Sequence, residues 1–508
     1  MITKRAIRWR CLLVLLLAAG IGFGLPQQTA AEENPPGENE VQVLAHGPIH
    51  EAFAETVAYD PQPGARAPKE APPPIEESPP EQKPEGDVKW IPGYWSWDED
   101  RNDFIWVSGV WRVPPPGRQW IPGYWRKSNQ GFQWISGYWV SIQITETEYL
   151  PEPPESVELG PNVNAPSPEY AWIPGCWLWK HGRYVWRPGY WAKMQPDWIW
   201  VPARYFWTPR GYVFIGGYWD YPVVRRGVIF APVFFPPVVL THVAFSFSPG
   251  FVIDLNVFSD CLFIRPGYRH YYFGDYYAPK YYQRGIYPWF SLHARRRGYD
   301  PIFAHQRWIH RHDHEWEHRL QNTFQERRQH KEARPSRWVT SSVRYGKDSA
   351  PATGRGRQIA IPVDQAMSRK DSSFRYQRLN ENERKEIRQR ENEVRTYGKE
   401  RRQWENPKMR KPAETSSEFS GQNRTAIPRS PIASRPLDQL DRKAAPPNRY
   451  KVPKTNPAVE PLQRRTGTSS SASTWGREAR SETRGERVSG GTTTPRESRP
   501  GRSGDIRR

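Results

Sequence analysis

The chain is 508 residues long, carries a formal net charge of +20 and is 37% hydrophobic. That fraction lies below the roughly 45–50% usual for globular proteins, although the benchmark counts glycine and omits tyrosine. Length alone allows two to four domains, but this composition excludes a core running through the whole chain and implies long solvated stretches.

Residues 1–31 read as an export signal. Lys4, Arg5, Arg8 and Arg10 form a positive end, residues 11–25 an apolar run, and Thr29-Ala30-Ala31 a small-residue cleavage site before Glu32. The apolar run is shorter than the roughly 20 residues that span a bilayer, so a cleaved signal is expected rather than an anchor. The expected location is the periplasm, the outer-membrane surface or the extracellular space, with no transmembrane span after the signal is removed. Residues 32–89 hold 13 acidic residues, four basic residues and 12 prolines, which predicts an extended, disordered linker.

From residue 90 to 219 the chain repeats Trp, two residues, Gly, one residue, Trp. Clean copies begin at Trp90, Trp106, Trp120, Trp134, Trp172 and Trp186. Worn copies begin at Trp200, with Ala203 for Gly and Tyr205 for the second Trp, and at Phe214, with Phe for the first Trp. A fixed period outranks any single-residue signal. The joints between motifs, such as 98–103 and 127–131, are rich in Gly, Asn, Asp and charge, which is turn chemistry. Each motif is therefore expected to be a strand. Its two Trp residues are an odd number of positions apart, so a bulge at the Gly is expected to return both to one face. A Pro-Gly turn folding each motif into a tiny hairpin is the alternative. The expected fold is mainly β: an antiparallel meander of eight Trp-rich strands in two blocks, 90–139 and 172–219, separated by a linker at 140–171.

These motifs resemble the bacterial WxxGxW (also written YxWGxW) repeat proteins over residues 90–219. The resemblance implies an exported repeat protein of the cell envelope and brings no catalytic or binding residue with it. Cys176 stands where sibling motifs have Tyr94, Tyr124, Tyr138 and Tyr190. Cys176 and Cys261 are the cysteines left after export, and a single disulfide and two unpaired thiols are both open.

Residues 220–299 form a Tyr/Phe-rich β segment, with 238–247 and 251–258 expected to pair as a buried hairpin around Ser248-Pro249-Gly250. The tyrosines at 268, 271, 272, 276, 277, 281, 282 and 287 have two readings, a recognition surface or packing against the Trp repeat. Residues 300–333 predict one long helix, capped by Asp300 with Pro301 at its first position. It contains His314-Glu315-Trp316-Glu317-His318, an HExxH pattern that in zinc proteases puts two His on one helical face. No third ligand follows at the required spacing, and a solvated helix face explains the residues better. His310, His314 and His318 are the weak metal candidates. Residues 334–508 hold 40 Lys and Arg against 20 Asp and Glu, whereas 1–333 balance. This predicts a basic disordered tail, with one solvated helix over 380–404.

The composition and motifs point to a non-enzymatic envelope scaffold with no cofactor, whose tail is attracted to anionic polymers such as envelope polysaccharide. Export removes most nucleic acid from reach, so none is expected as a partner. A carbohydrate-binding module is the alternative. It would stack sugar rings on Trp95, Trp97, Trp125, Trp139, Trp177, Trp179 and Trp191, and it requires these rings to be exposed.

Overall fold

The computed structural model describes residues 40–241, 245–294, 298–339, 359–370, 372–406 and 423–436. The expected signal at 1–31 and the rest of the basic tail lie outside these residues.

Every motif is interrupted at its glycine. In the first, a strand at Lys89–Ile91 stops, Pro92 and Gly93 leave the ladder, and a strand resumes at Tyr94–Asp98. In the second the pieces are Asp103–Val107 and Val110–Arg112. The pieces pair antiparallel, Tyr94–Asp98 with Asp103–Val107 and Lys89–Ile91 with Val110–Arg112. Two successive motifs therefore make one long hairpin, broken at the same level in both strands. Trp95 sits opposite Trp106, and Trp90 opposite Trp111. The register recurs as Trp120 with Trp139 and Trp125 with Trp134 in a second hairpin. It recurs again as Trp172 with Trp191 and Trp177 with Trp186 in a third. In the fourth, Trp200 faces Trp219 and Tyr205 faces Phe214.

The protein is mainly β and antiparallel, as expected, but the motifs pair two by two. Among the described residues no ladder joins one hairpin to the next, so the eight motifs form four hairpins rather than one meander. Neither a bulge nor a hairpin within a single motif is present. The reason lies in the packing of indole on glycine. A Cβ built on Gly137 would lie 2.4 Å from Cζ2 of Trp120, and one on Gly109 would lie 2.4 Å from Cζ2 of Trp90. The first Trp of each motif thus lies across the Gly of its partner motif, a contact repeated at Gly123, Gly175, Gly189 and Gly217. Facing Trp rings meet tilted or edge-on, with centroids 5.2 Å apart for Trp90–Trp111 and 5.1 Å for Trp95–Trp106, the geometry that aromatic quadrupoles favour. The worn copies obey the same rule. Ala203 replaces Gly, and the ring that the register brings to it is Phe214, smaller than an indole.

The main core is built on a four-stranded sheet of Gly47–Pro48, His270–Phe273, Leu262–Arg265 and Tyr287–Pro288. Tyr271, Tyr272, Tyr276, Tyr277 and Tyr281 are buried there beside Phe53, Trp120, Trp139 and Phe324, so for these five packing is the reading realised, while Tyr268, Tyr282 and Tyr287 are half-buried. Among the described residues the expected hairpin of 238–247 with 251–258 does not form. Phe251–Ile253 pairs instead with Ala360–Pro362, and Ser246–Phe247 runs parallel to Glu76–Glu77.

Three further expectations need correction. Residues 40–89 are not a disordered linker: Leu44, Phe53, Thr56 and Glu77 are fully buried, because this acidic segment supplies acceptors that the hairpins require. The long helix is two, α1 (Pro301–Ile309) and α2 (Trp316–Gln329). Asp300 does cap α1, its side chain accepting from the Phe303 amide. The tail is ordered over 359–370, 372–406 and 423–436. Its helix α3 (Glu381–Trp404) begins with an Asn380 capping box but is not solvated all round, since Ile387, Glu391, Val394, Tyr397 and Arg401 are buried. The Arg401 guanidinium donates to the carbonyls of Pro122 and Ser136 in the second hairpin. No helix among the described residues is long and apolar enough to cross a membrane.

Candidate functional site: glutamates and indoles at the hairpin breaks

Where a strand breaks, its glycine amide loses its ladder partner, and a buried donor without an acceptor costs about 1–3 kcal/mol. Glutamates fill this role at Gly93, Gly109, Gly137 and Gly175. The Glu77 carboxylate accepts from the Gly109 amide at 2.9 Å and from the Gly93 amide at 3.2 Å, joining both strands of the first hairpin. Glu51 accepts from the Gly137 amide at 2.8 Å and the Trp134 indole at 3.1 Å. Glu158 accepts from the Gly175 amide and, at 3.0 Å, from the Trp172 indole. In the second and third hairpins the two donors are the first Trp and the Gly of one motif, so the Trp-x-x-Gly spacing aims two N–H groups at one carboxylate. The other end of the first hairpin uses α3, where Trp90 donates to Glu391 at 2.6 Å. In the fourth hairpin Glu55 pairs instead with the Arg204 guanidinium and accepts from Tyr218.

Burial perturbs several of these groups. Removal from water pushes Glu77 up to about 8 and Glu51 up to about 7, opposed by the amide and indole donors. Burial lowers His50 and His270 to about 4. His270 Nε2 lies 3.6 Å from Glu51 and 3.1 Å from the Tyr94 hydroxyl. A carboxyl near neutrality beside uncharged imidazoles has the chemistry of a proton donor, yet both oxygens of Glu51 already hold the hairpin.

The residues expected to stack on sugars separate into two groups. Trp95 and Trp139 are buried and donate to the carbonyls of Pro73 and Ala52, so they are not available for stacking. Trp97 and Trp125 are half-buried, Trp97 edge-on to Phe104 and Trp125 donating to the Trp95 carbonyl at 2.8 Å. Trp177, Trp179 and Trp191 share the third hairpin, where Trp172, Tyr184, Trp186 and Tyr190 are also half-buried. One end of this hairpin faces α1 and α2 across a cleft of ≈ 650 Å³, whose walls include Trp172, Trp191, Trp308, Trp316, Arg307 and Arg311.

The HExxH residues are not on one helical face. α2 starts at Trp316, so His314 and Glu315 belong to the preceding turn and only His318 is helical. His310 stacks on Trp316 with centroids 4.8 Å apart. Among the described residues no group of three or more His, Cys, Asp or Glu is placed to hold a metal ion. Cys176 and Cys261 are unpaired thiols, the latter buried and pushed up to about 12 by desolvation.

The WXXGXW repeat family, described as two copies of the motif, matches residues 90–112, 120–140, 168–192 and 196–220. Residues 90–220 are a WXXGXW repeat region. Each match covers one hairpin, so the family's two-copy unit is the pair of motifs that fold back on each other. No curated protein and no solved structure matches the chain.

Residue-by-residue reading of the sequence missed Glu51, Glu77 and Glu158, because acidic residues among prolines look like solvated spacer. The available signal was spacing, since Glu77 and Glu158 each stand four residues after a Pro-Pro pair.

Proposed function

We propose that this WXXGXW repeat protein is a non-enzymatic scaffold of the cell envelope, exported by its N-terminal signal, with a basic tail that engages anionic polymers. The observation that carries the scaffold reading is the commitment of the hairpins to the chain's own segments: glycine amides and indole N–H groups bind Glu51, Glu77, Glu158, Pro73 and Ala52. Groups already engaged in this way stiffen a framework. Export rests on the residue pattern of 1–31, and the polymer partner on the excess of 40 basic over 20 acidic residues after 333. Fractionation of cells expressing the full chain, with a protease-accessibility assay, tests the location. Recovery with the signal intact in the cytoplasm would refute export.

A second reading, glycan binding, is favoured by one feature, the half-buried aromatic face of the third hairpin above its cleft. Trp and Tyr present flat apolar rings with a polar edge, and Arg307 and Arg311 add hydrogen-bond donors suited to hydroxyls. Titrating the full chain with a panel of envelope polysaccharides, read by tryptophan fluorescence, tests it. A Trp191→Ala variant that binds as well as the native chain would remove this reading.

A further inference from the structure

A cavity of ≈ 780 Å³ opens between the first hairpin, the second hairpin and α3, inside the roughly 300–1,000 Å³ range of small-molecule sites. Its hairpin wall is apolar and includes Trp95, Trp125, Phe132, Trp134 and Pro122, with Pro73 along one side. The indole N–H groups of this wall are already engaged within the chain: Trp95 donates to the Pro73 carbonyl, Trp125 to the Trp95 carbonyl and Trp134 to Glu51. An occupant therefore meets ring carbon and proline on this side. The α3 wall is cationic. Arg395, Lys399 and Arg402 recur at helical spacing, share one face and all line the cavity. Arg395 donates to the Ile75 carbonyl, whereas Lys399 and Arg402 are exposed and have no partner among the described residues. Of the carboxylates in the lining, Glu51 already accepts from Gly137 and Trp134, and Glu70 is exposed. Three cations thus stand against one uncommitted carboxylate.

Between these cations α3 carries Gly398, which also lines the cavity. Glycine in a helix interior is unfavourable relative to alanine, and the chain's own packing does not call for it. A Cβ there would lie 3.8 Å from Pro122 Cγ and 4.0 Å from the Gly123 carbonyl oxygen, ordinary contact distances, and the backbone is not in the left-handed region. Unlike Gly109 and Gly137, Gly398 yields room to the cavity and not to a neighbouring ring. We propose that this cavity binds a small amphiphilic anion, its apolar body against the indoles and prolines of the two hairpins and its acidic head on Lys399 and Arg402. The apolar wall accounts for the body, and cations free to donate to an acid account for the head. The bare Gly398 backbone lets the body lie against the helix between them. This goes beyond the scaffold role and holds wherever the protein resides.

Calorimetric titration of the full chain tests this, with laurate below its micellar concentration as the probe and dodecyltrimethylammonium, of equal chain length and opposite charge, as the control. The native chain is expected to show one saturable laurate site, about tenfold or more tighter than any site for the ammonium. Lys399→Gln combined with Arg402→Gln changes two exposed positions, so folding is not at stake; it should weaken laurate about tenfold and leave the ammonium no weaker. Gly398→Leu fills the cavity from the helix side and should abolish the site, while Gly398→Ala retains it. Near-UV circular dichroism identifies any variant that fails to fold, and the exposed double variant then decides. Absence of a saturable laurate site, equal affinity for the two head groups, or a laurate site that a folded Gly398→Leu chain keeps would each overturn the proposal. The last result would assign the laurate to general attraction by the net charge of +20.

Discussion

Replacing Gly137 by alanine tests why the motif contains glycine. Gly137 does not lie in the left-handed region, so its backbone accepts alanine, and the obstacle is space. The new Cβ would meet Trp120 Cζ2 at 2.4 Å and the Ile121 carbonyl at 2.7 Å. Trp120 is 2% exposed and cannot swing away. Overpacking of this kind costs about 1–3 kcal/mol, against a gain of about 0.4–1 kcal/mol from the stiffer unfolded chain, leaving a net loss of about 1–2 kcal/mol. Trp120→Phe alone should also destabilise, by about 1–2 kcal/mol, because truncating a buried Trp fully to alanine costs about 3–5 kcal/mol and phenylalanine keeps most of the ring. The double variant recreates the Ala203 and Phe214 combination of the fourth hairpin. It should therefore be less destabilised than the sum by about 1 kcal/mol or more, measured as a double-mutant cycle on urea midpoints. Strict additivity, or a neutral Gly137→Ala, would refute the indole-on-glycine account.

Other outcomes follow from the buried charges. Glu77 is raised by burial to about 8, so the folded state holds its proton more tightly than the unfolded chain; stability from this group is full below about 4.5 and is lost as pH rises through 8. Urea midpoints should fall between pH 5 and 8, and Glu77→Gln should flatten that slope; an unchanged slope would contradict it. Arg112 is fully buried and donates to both Asp220 oxygens at 2.7 Å. Arg112→Met leaves the buried Asp220 carboxylate with one guanidinium, Arg226 at 3.2 Å, instead of two, and a loss smaller than the roughly 3–5 kcal/mol of a fully unpaired buried charge is expected by chemical denaturation. His314→Ala with His318→Ala should leave both stability and metal content unchanged, because the two side chains do not share a helical face; stoichiometric zinc surviving dialysis of the native chain would contradict this.

The parts of the fold legible in the sequence were those carried by period. The Trp spacing marked strands, turns and the antiparallel class, Asp300 marked one helix start, and the interleaved charge over 380–404 marked another helix. The pairing of motifs was hidden because one carboxylate or one facing ring completes each break, and neither is adjacent in sequence. Residues 40–89 read as spacer because Pro and Glu normally remain solvated, whereas Glu51 and Glu77 are drawn inside by amides and indoles that have no other acceptor. The 300–333 helix was overextended because Ile309 and Trp316 fit helical spacing across His310 to Glu315, where a turn intervenes. Of the sugar-stacking set, Trp177, Trp179 and Trp191 share one hairpin and are half-buried, as Trp97 and Trp125 are, since exposure depends on which hairpin the other elements cover.

The central claim is that glutamates hold the glycine amides at the hairpin breaks. Native-state hydrogen exchange resolved at Gly109 and Gly137 tests it most directly, because neither amide has a backbone partner among the strand pairings. The account predicts slow exchange at both, comparable with the flanking ladders, and a selective gain in rate at Gly109 in Glu77→Ala. Rapid exchange at these two amides in the native chain, beside protected neighbours, would contradict it.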